Sequence, residues 1–238
     1  MFSYQDIFQD KKRVLFVPAH PDDADIAFGG TTASLIKDKK EVFVLVVTNG
    51  GRGSKDNKIS EKELSKQRLG EETMALGYLG VPKENLATLN YLDGEVENNM
   101  KLIGQIAQVI RRFKPDIVCT HEPHEMYLQR NDRFYVNHRD HRNTGLSVLD
   151  AVYPFSRDRS FFPEHSQKGL EPHHVLEILF TRSATHNTKI DITKVIGQKK
   201  KALLSHKSQL SKDSVDRILE NSKEGSKYFE FGNYLKLF

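Results

Sequence analysis

Cysteine is almost absent from this chain: Cys119 is the one such residue in 238. That excludes an intramolecular disulfide and any zinc site built from several thiolates. No apolar run approaches the roughly 18 residues that cross a bilayer, so no membrane span is expected. The start, Met1-Phe2-Ser3-Tyr4, lacks a basic stretch followed by an apolar one, so no secretory signal is expected and a reducing cytoplasm fits. With 15 glycines and 8 prolines, collagen-like and low-complexity chains are excluded. A dominant charge is missing too. The 36 basic and 32 acidic residues leave a net +4, a balance that does not by itself make a nucleic-acid binder. What is present is an apolar share of 37% and a length that suits one generous domain over residues 1–238.

Strand-like and helix-like stretches alternate. Residues 13–18 form a short apolar run of the kind buried on both faces of a sheet, and 41–47 (Glu-Val-Phe-Val-Leu-Val-Val) is a stronger one. Strands are also predicted at 86–92, 116–120 and 174–182. Helices are predicted at 24–39, 60–79, 98–113, from 138 or 139 to 153, 193–206 and 211–224. Ser60 and Glu63 have the spacing of a capping box. Loops are expected at 121–137 and 155–172. The order predicts an α/β fold: a three-layer α/β/α sandwich around a mostly parallel, Rossmann-like sheet. In such sheets ligands bind beyond the carboxyl ends of the strands, here 19–25, 48–56, 93–95 and 121–141.

The first of these segments carries Ala19-His20-Pro21-Asp22-Asp23. One imidazole and two carboxylates within four residues are donors that suit Zn²⁺ or another divalent first-row metal. One carboxylate can bind metal while its neighbour holds a water. A further ligand is offered by His138-Arg139-Asp140-His141, whose histidines share one helical face, with Asp140 able to fix an imidazole tautomer. Adjacency of the strands ending near Pro18 and Thr120 would bring the two clusters together.

These residues, with Gly29-Gly30, resemble the PIG-L or LmbE-like family of zinc-dependent de-N-acetylases acting on N-acetylglucosamine-bearing substrates. The similarity continues through Arg68 and Glu71, Asp93-Gly94-Glu95, 114–118, 190–193, Lys200, Ala202-Leu203, His206 and Ser208-Gln209, so it spans about residues 13–210. The resemblance implies that His20, Asp23 and His141 ligate zinc. It implies that Asp22 is the general base, that His138 acts as an imidazolium oriented by Asp140, and that Arg68 contacts substrate. The implied partner is a small-molecule N-acetylated sugar; a homo-oligomer is compatible with the sequence and not required by it. Three protein ligands leave a position for water, the layout of a catalytic zinc site.

Three departures stand out. Arg139 replaces a common proline, Gly50-Gly51-Arg52-Gly53 replaces a loop that often holds an acidic residue, and 121–137 is longer than usual. The glycine loop lacks the Gly-Lys-Ser/Thr ending of a phosphate loop. The stretch His121-Glu122-Pro123-His124 has a histidine too early, and a proline, for a zincin helix. His206 reads as structural and Lys199-Lys200-Lys201 as a solvated helix face. Besides N-deacetylation, two other functions are weighed: another amide hydrolase, such as a thiol-sugar conjugate amidase, and a non-catalytic sugar- or nucleotide-binding protein.

Overall fold

The computed structural model describes residues 1–54, 58–130, 133–181 and 185–237. Its elements run α1 (Tyr4–Phe8), β1 (Arg13–Val17), α2 (Asp23–Lys37), β2 (Glu41–Thr48), α3 (Glu61–Leu79), β3 (Leu86–Tyr91), α4 (Met100–Phe113) and β4 (Ile117–His121). Then follow β5 (Tyr127–Arg130), β6 (Arg133–Val136), α5 (Arg139–Asp150), α6 (Pro163–Gln167), β7 (Glu177–Thr181), β8 (Ile190–Asp191), α7 (Ile196–Leu203) and α8 (Lys212–Asn221). The short strands β9 (Lys223–Glu224), β10 (Lys227–Glu230) and β11 (Gly232–Lys236) come last.

Six strands form the central sheet in the order β11-β7-β4-β1-β2-β3. All pairs are parallel except β11 with β7. Successive strand residues point to opposite faces, and the sequence fills both faces with apolar groups. Val14, Phe16, Val42, Val44, Ile117 and Cys119 pack on one side with Phe28, Leu76, Leu79 and Ala202 from α2, α3 and α7. Leu15, Val17, Leu45, Val47, Val118 and Phe180 pack on the other with Leu102, Ile106 and Ile110 of α4 and Val148 of α5. That is the expected α/β/α sandwich, and β1 does lie beside β4.

Local signals agree with the sequence at several points. Ser60 Oγ accepts the Glu63 N–H while the Glu63 carboxylate accepts the Ser60 N–H at 3.0 Å, a complete capping box on α3. Asp116 Oδ2 accepts the Lys12 and Arg13 amides at 2.6 and 2.8 Å, which sets where β4 meets β1.

Elsewhere the structure corrects the sequence reading. The 121–137 stretch is not wholly loop: β5 and β6 pair as a hairpin, with residues 131–132 outside the described residues. A short helix, α6, interrupts 155–172. The strand expected over 174–182 is Glu177–Thr181, and Arg182 lies outside the described residues. Helices do not close the chain, because α8 stops at Asn221 and β9, β10 and β11 follow. Alternation in Gly232–Lys236 is short, and pairing with β7 decides its conformation. Lys199 is not solvated: it is 2% exposed, and its Nζ meets Glu230 Oε1 at 2.5 Å and donates to the Ile26 carbonyl at 3.0 Å. Among the described residues no helix is long and apolar enough to cross a membrane.

Candidate metal and catalytic site

The ends of β1, β2 and β4 converge around Ala19 and His20. The Thr48 amide donates to the Ala19 carbonyl at 2.8 Å, and the Ala19 amide donates to His121 Nε2 at 3.0 Å. The segment that starts the site is therefore fastened on both sides before any metal is considered. Accepting at Nε2 puts the proton of a neutral His121 on Nδ1, which lies 3.4 Å from Thr181 Oγ1. The His121 ring stacks on His141, centroids 4.2 Å apart and planes within 5°.

His20 Nδ1, Asp23 Oδ2 and His141 Nε2 form a triangle with edges of 3.2, 3.3 and 3.3 Å. Donors held at about 2.0–2.1 Å on a tetrahedral ion stand about 3.3–3.4 Å apart, so the triangle fits such an ion with little adjustment. The opposite nitrogen of His20 faces Asp140 Oδ2 at 3.1 Å and Asp93 Oδ1 at 3.2 Å. A proton held there by carboxylates leaves the Nδ1 lone pair facing the triangle. A second grouping, His20, Asp93, His138 and Asp140, also has its donor atoms close together. Its donors are already engaged: Asp140 accepts the Gly94 amide at 2.7 Å and the Val96 amide at 3.1 Å, and His138 Nδ1 accepts the Asp140 amide. The triangle is the better metal site.

Asp140 is thus placed differently from the sequence expectation. Its carboxylate reaches His20 and stands 3.9 Å from His138 Nδ1, because the Gly94 and Val96 amides draw it toward the β3–α4 connection. His138 caps α5 through Nδ1, which accepts the Asp140 N–H at 3.2 Å, so its neutral ring carries the proton on Nε2. Burial, and then the charge of His20, push His138 below its ordinary pKa; Asp140 opposes this and does not prevail. Both the lowered pKa and the Nδ1 contact favour a neutral ring with its proton on Nε2.

Charge around the triangle is strongly organised. Burial alone would lower the His20 pKa, yet its contacts with Asp140, Asp23 and Asp93 carry it well above the usual value. Asp23, though buried, is held well below the usual carboxylate range by His141 and His121. Asp22 goes the other way: burial and the neighbouring Asp23 charge lift it to about 6 against the pull of Arg68, His206 and His20.

Asp22 occupies the N-cap position of α2 but makes no capping bond with its side chain. Its backbone sits at φ 99°, in the left-handed region, at a cost of order 1–3 kcal/mol for a residue with a side chain. Its Oδ1 lies 3.4 Å from Arg68 Nη2. Arg68, on α3, is 4% exposed and also donates to the Pro21 carbonyl at 2.6 Å and the Gly50 carbonyl at 3.0 Å. A Cβ on Gly50, whose φ is +62°, would stand 2.7 Å from Arg68 Nη1. The glycine-rich loop thus makes room for a guanidinium.

Two residues at the site were not singled out as site residues in the sequence. In the sequence Asp93 stands only as part of the run Asp93-Gly94-Glu95, though its position after β3 is a usable signal. The sequence reading puts His121 in the 121–137 loop. It is the last residue of β4 and belongs to the strand by pairing with Thr181. The segment 48–56 contributes Gly50 and Arg52, and Arg52 bridges Glu61 and Glu95 at the rim; Asp56 lies outside the described residues.

The PIG-L family, described as GlcNAc-PI de-N-acetylase, matches residues 15–152, which run from β1 through α5 and contain both donor clusters. The chain belongs to the PIG-L family. Within reach of it, a diacetylchitobiose deacetylase of Thermococcus kodakarensis is 32% identical over 212 residues, 89% of this chain and 75% of the relative. A 1D-myo-inositol 2-acetamido-2-deoxy-alpha-D-glucopyranoside deacetylase of Segniliparus rotundus is 29% identical over 170 residues, 60% of this chain and 51% of the relative. The solved structure of N,N'-diacetylchitobiose deacetylase from Pyrococcus horikoshii, complexed with its inhibitor MPG, superposes with a TM-score of 0.86 at 29% identity. That match covers 99% of this chain and 88% of the other. The PIG-L relatives of this chain named here are deacetylases.

Proposed function

We propose that this protein is a metal-dependent hydrolase that removes the N-acetyl group from an N-acetylglucosamine-type sugar or conjugate. The single observation that carries the reading is the His20–Asp23–His141 triangle with the Asp22 carboxylate beside it. A binding protein has no use for a base in that position. A relative that covers 89% of the chain acts, by its name, on diacetylchitobiose, so a chito-oligosaccharide end is the first substrate to try. Because β11, near one end of the sequence, joins the sheet that β1 begins, we read residues 1–238 as one catalytic domain.

His20, Asp23 and His141 hold the ion, and Asp140 and Asp93 orient His20. A Zn²⁺ or similar ion bound there supplies Lewis-acid chemistry, lowering the pKa of water and polarising an amide carbonyl. Asp22 takes the proton of the attacking water; a carboxylate near 6 is a competent base in neutral solution. Arg68 anchors Asp22 by charge and fixes the Pro21 and Gly50 carbonyls on either side. His138 Nε2–H donates to the oxygen that gains charge as the carbonyl is attacked. The proton collected by Asp22 is returned to the departing amine, so amide and water give acetate and a free amino sugar.

The test is acetate release from N,N'-diacetylchitobiose and other N-acetylglucosamine conjugates, by protein stripped of metal and by the same protein with Zn²⁺ restored. The expected result is release that depends on added metal. No release from any member of the set, with metal bound, overturns the reading.

A further inference from the structure

Next to the triangle stands a second set of ionisable side chains, Asp25 of α2, Glu72 of α3 and His206 after α7, all buried. His206 Nε2 lies 2.8 Å from Asp25 Oδ2 and 3.8 Å from Glu72 Oε2. The shorter distance is a hydrogen bond, so the histidine is already satisfied by Asp25. Glu72 is satisfied much less well. Its Oε1 has no hydrogen-bond partner, although the residue is 0% exposed. Its Oε2 accepts the backbone N–H of Asp22 at 3.0 Å.

That bond addresses a puzzle in the local backbone. An aspartate at an N-cap ordinarily adopts extended angles and turns its carboxylate back onto the helix amides. Asp22 does neither, and its carboxylate is left beside Arg68. We propose that Glu72 is a positioning residue: by capturing the Asp22 amide from α3, it holds Asp22 out of the capping conformation and keeps its carboxylate turned toward Arg68 and the donor triangle. The inference rests on the proposed role of Asp22 as base. Arg68 and Glu72 sit four apart on α3, one turn of helix, so one face of one helix grips both the side chain and the backbone of Asp22. Burial and the charge of Asp25 raise the Glu72 pKa well above the ordinary range. Glutamine keeps a side-chain oxygen that can accept the Asp22 N–H at the same reach.

Two single substitutions separate the acceptor from the charge. Glu72→Gln keeps an acceptor at the same reach without a carboxyl, whereas Glu72→Asp keeps the carboxyl and withdraws it by one methylene. Each is loaded with Zn²⁺ and assayed for acetate release from N,N'-diacetylchitobiose, for metal content and for hydrogen exchange at the Asp22 amide. Glu72→Gln is expected to keep kcat within about threefold and to keep the Asp22 amide protected. Glu72→Asp is expected to lose about 10²-fold in kcat, the scale of a roughly 1 Å misplacement, with KM and metal content unchanged and faster exchange at Asp22. Wild-type kcat in Glu72→Asp, or a loss in Glu72→Gln as deep as in Glu72→Asp, overturns the inference. So does an unprotected Asp22 amide in the folded wild type, which needs no variant at all. Absence of acetate release by the wild type defeats the proposed function instead, and Asp22 exchange still decides the positioning claim.

Discussion

In the role proposed for it, Asp22 meets two demands that pull against each other: to stay buried, and to stay ready to accept a proton. The surrounding charges reconcile them, with Asp23 raising its pKa and Arg68 keeping it from rising further. Asp22→Asn removes the proton acceptor while leaving the donor triangle intact. Turnover is expected to fall about 10²–10⁴-fold with metal stoichiometry unchanged, checked by acetate release and metal analysis on one preparation. At His138 the expected loss is about 10²–10³-fold in kcat for His138→Ala, the usual size for one oxyanion donor. His138→Ala should retain its metal, because His138 Nδ1 is occupied by the Asp140 amide, whereas His141→Ala should lose it. A His138→Ala protein that loses its metal would exchange the two assignments. The candidate donors were legible here because His, Asp and Asp beside an apolar strand are an unusual set in a usable place. The partner of Asp140 was not, since sequence spacing cannot show that two amides from another loop redirect a carboxylate.

At the scale of elements, the site depends on how closely α5 approaches the end of β4. Gly145 permits that approach: a Cβ there would stand 2.4 Å from the His121 carbonyl oxygen. Gly145→Ala gives α5 a better intrinsic helix former but forces it away from the strand, along with Asp140 and His141. The expected outcome is a lower Tm and weaker Zn²⁺ affinity, measured by thermal unfolding and metal titration; a raised Tm would show that the contact relaxes cheaply. Buried strands and the long helices were readable because their patterns fill both faces of the sheet. The β5–β6 hairpin was not, because Phe134, Tyr135 and Val136 are exposed and bury no consistent face that would show as periodicity.

For the molecule as a whole, Lys199 and Glu230 join late segments to early ones. Glu230 accepts the Gly30 and Thr31 amides, each at 2.7 Å, while Lys199 reaches both Glu230 and the Ile26 carbonyl of α2. Lys199→Met leaves a buried carboxylate without its cation and should cost about 3–5 kcal/mol, read from denaturant unfolding; a loss under about 1 kcal/mol would show that the pair is dispensable. No local pattern announces such a pair, since Lys199-Lys200-Lys201 looks alike at every position and only the fold selects one of them for burial. A different consequence follows from β11, the antiparallel partner of β7. During synthesis β7 leaves the ribosome well before the strand that covers it, and until then Ile178, Leu179 and Phe180 offer an open edge to any neighbouring nascent chain. Slowing translation between β7 and β11 lengthens the time that edge stays open, so it is expected to lower the recovery of folded protein without altering the stability of the finished molecule.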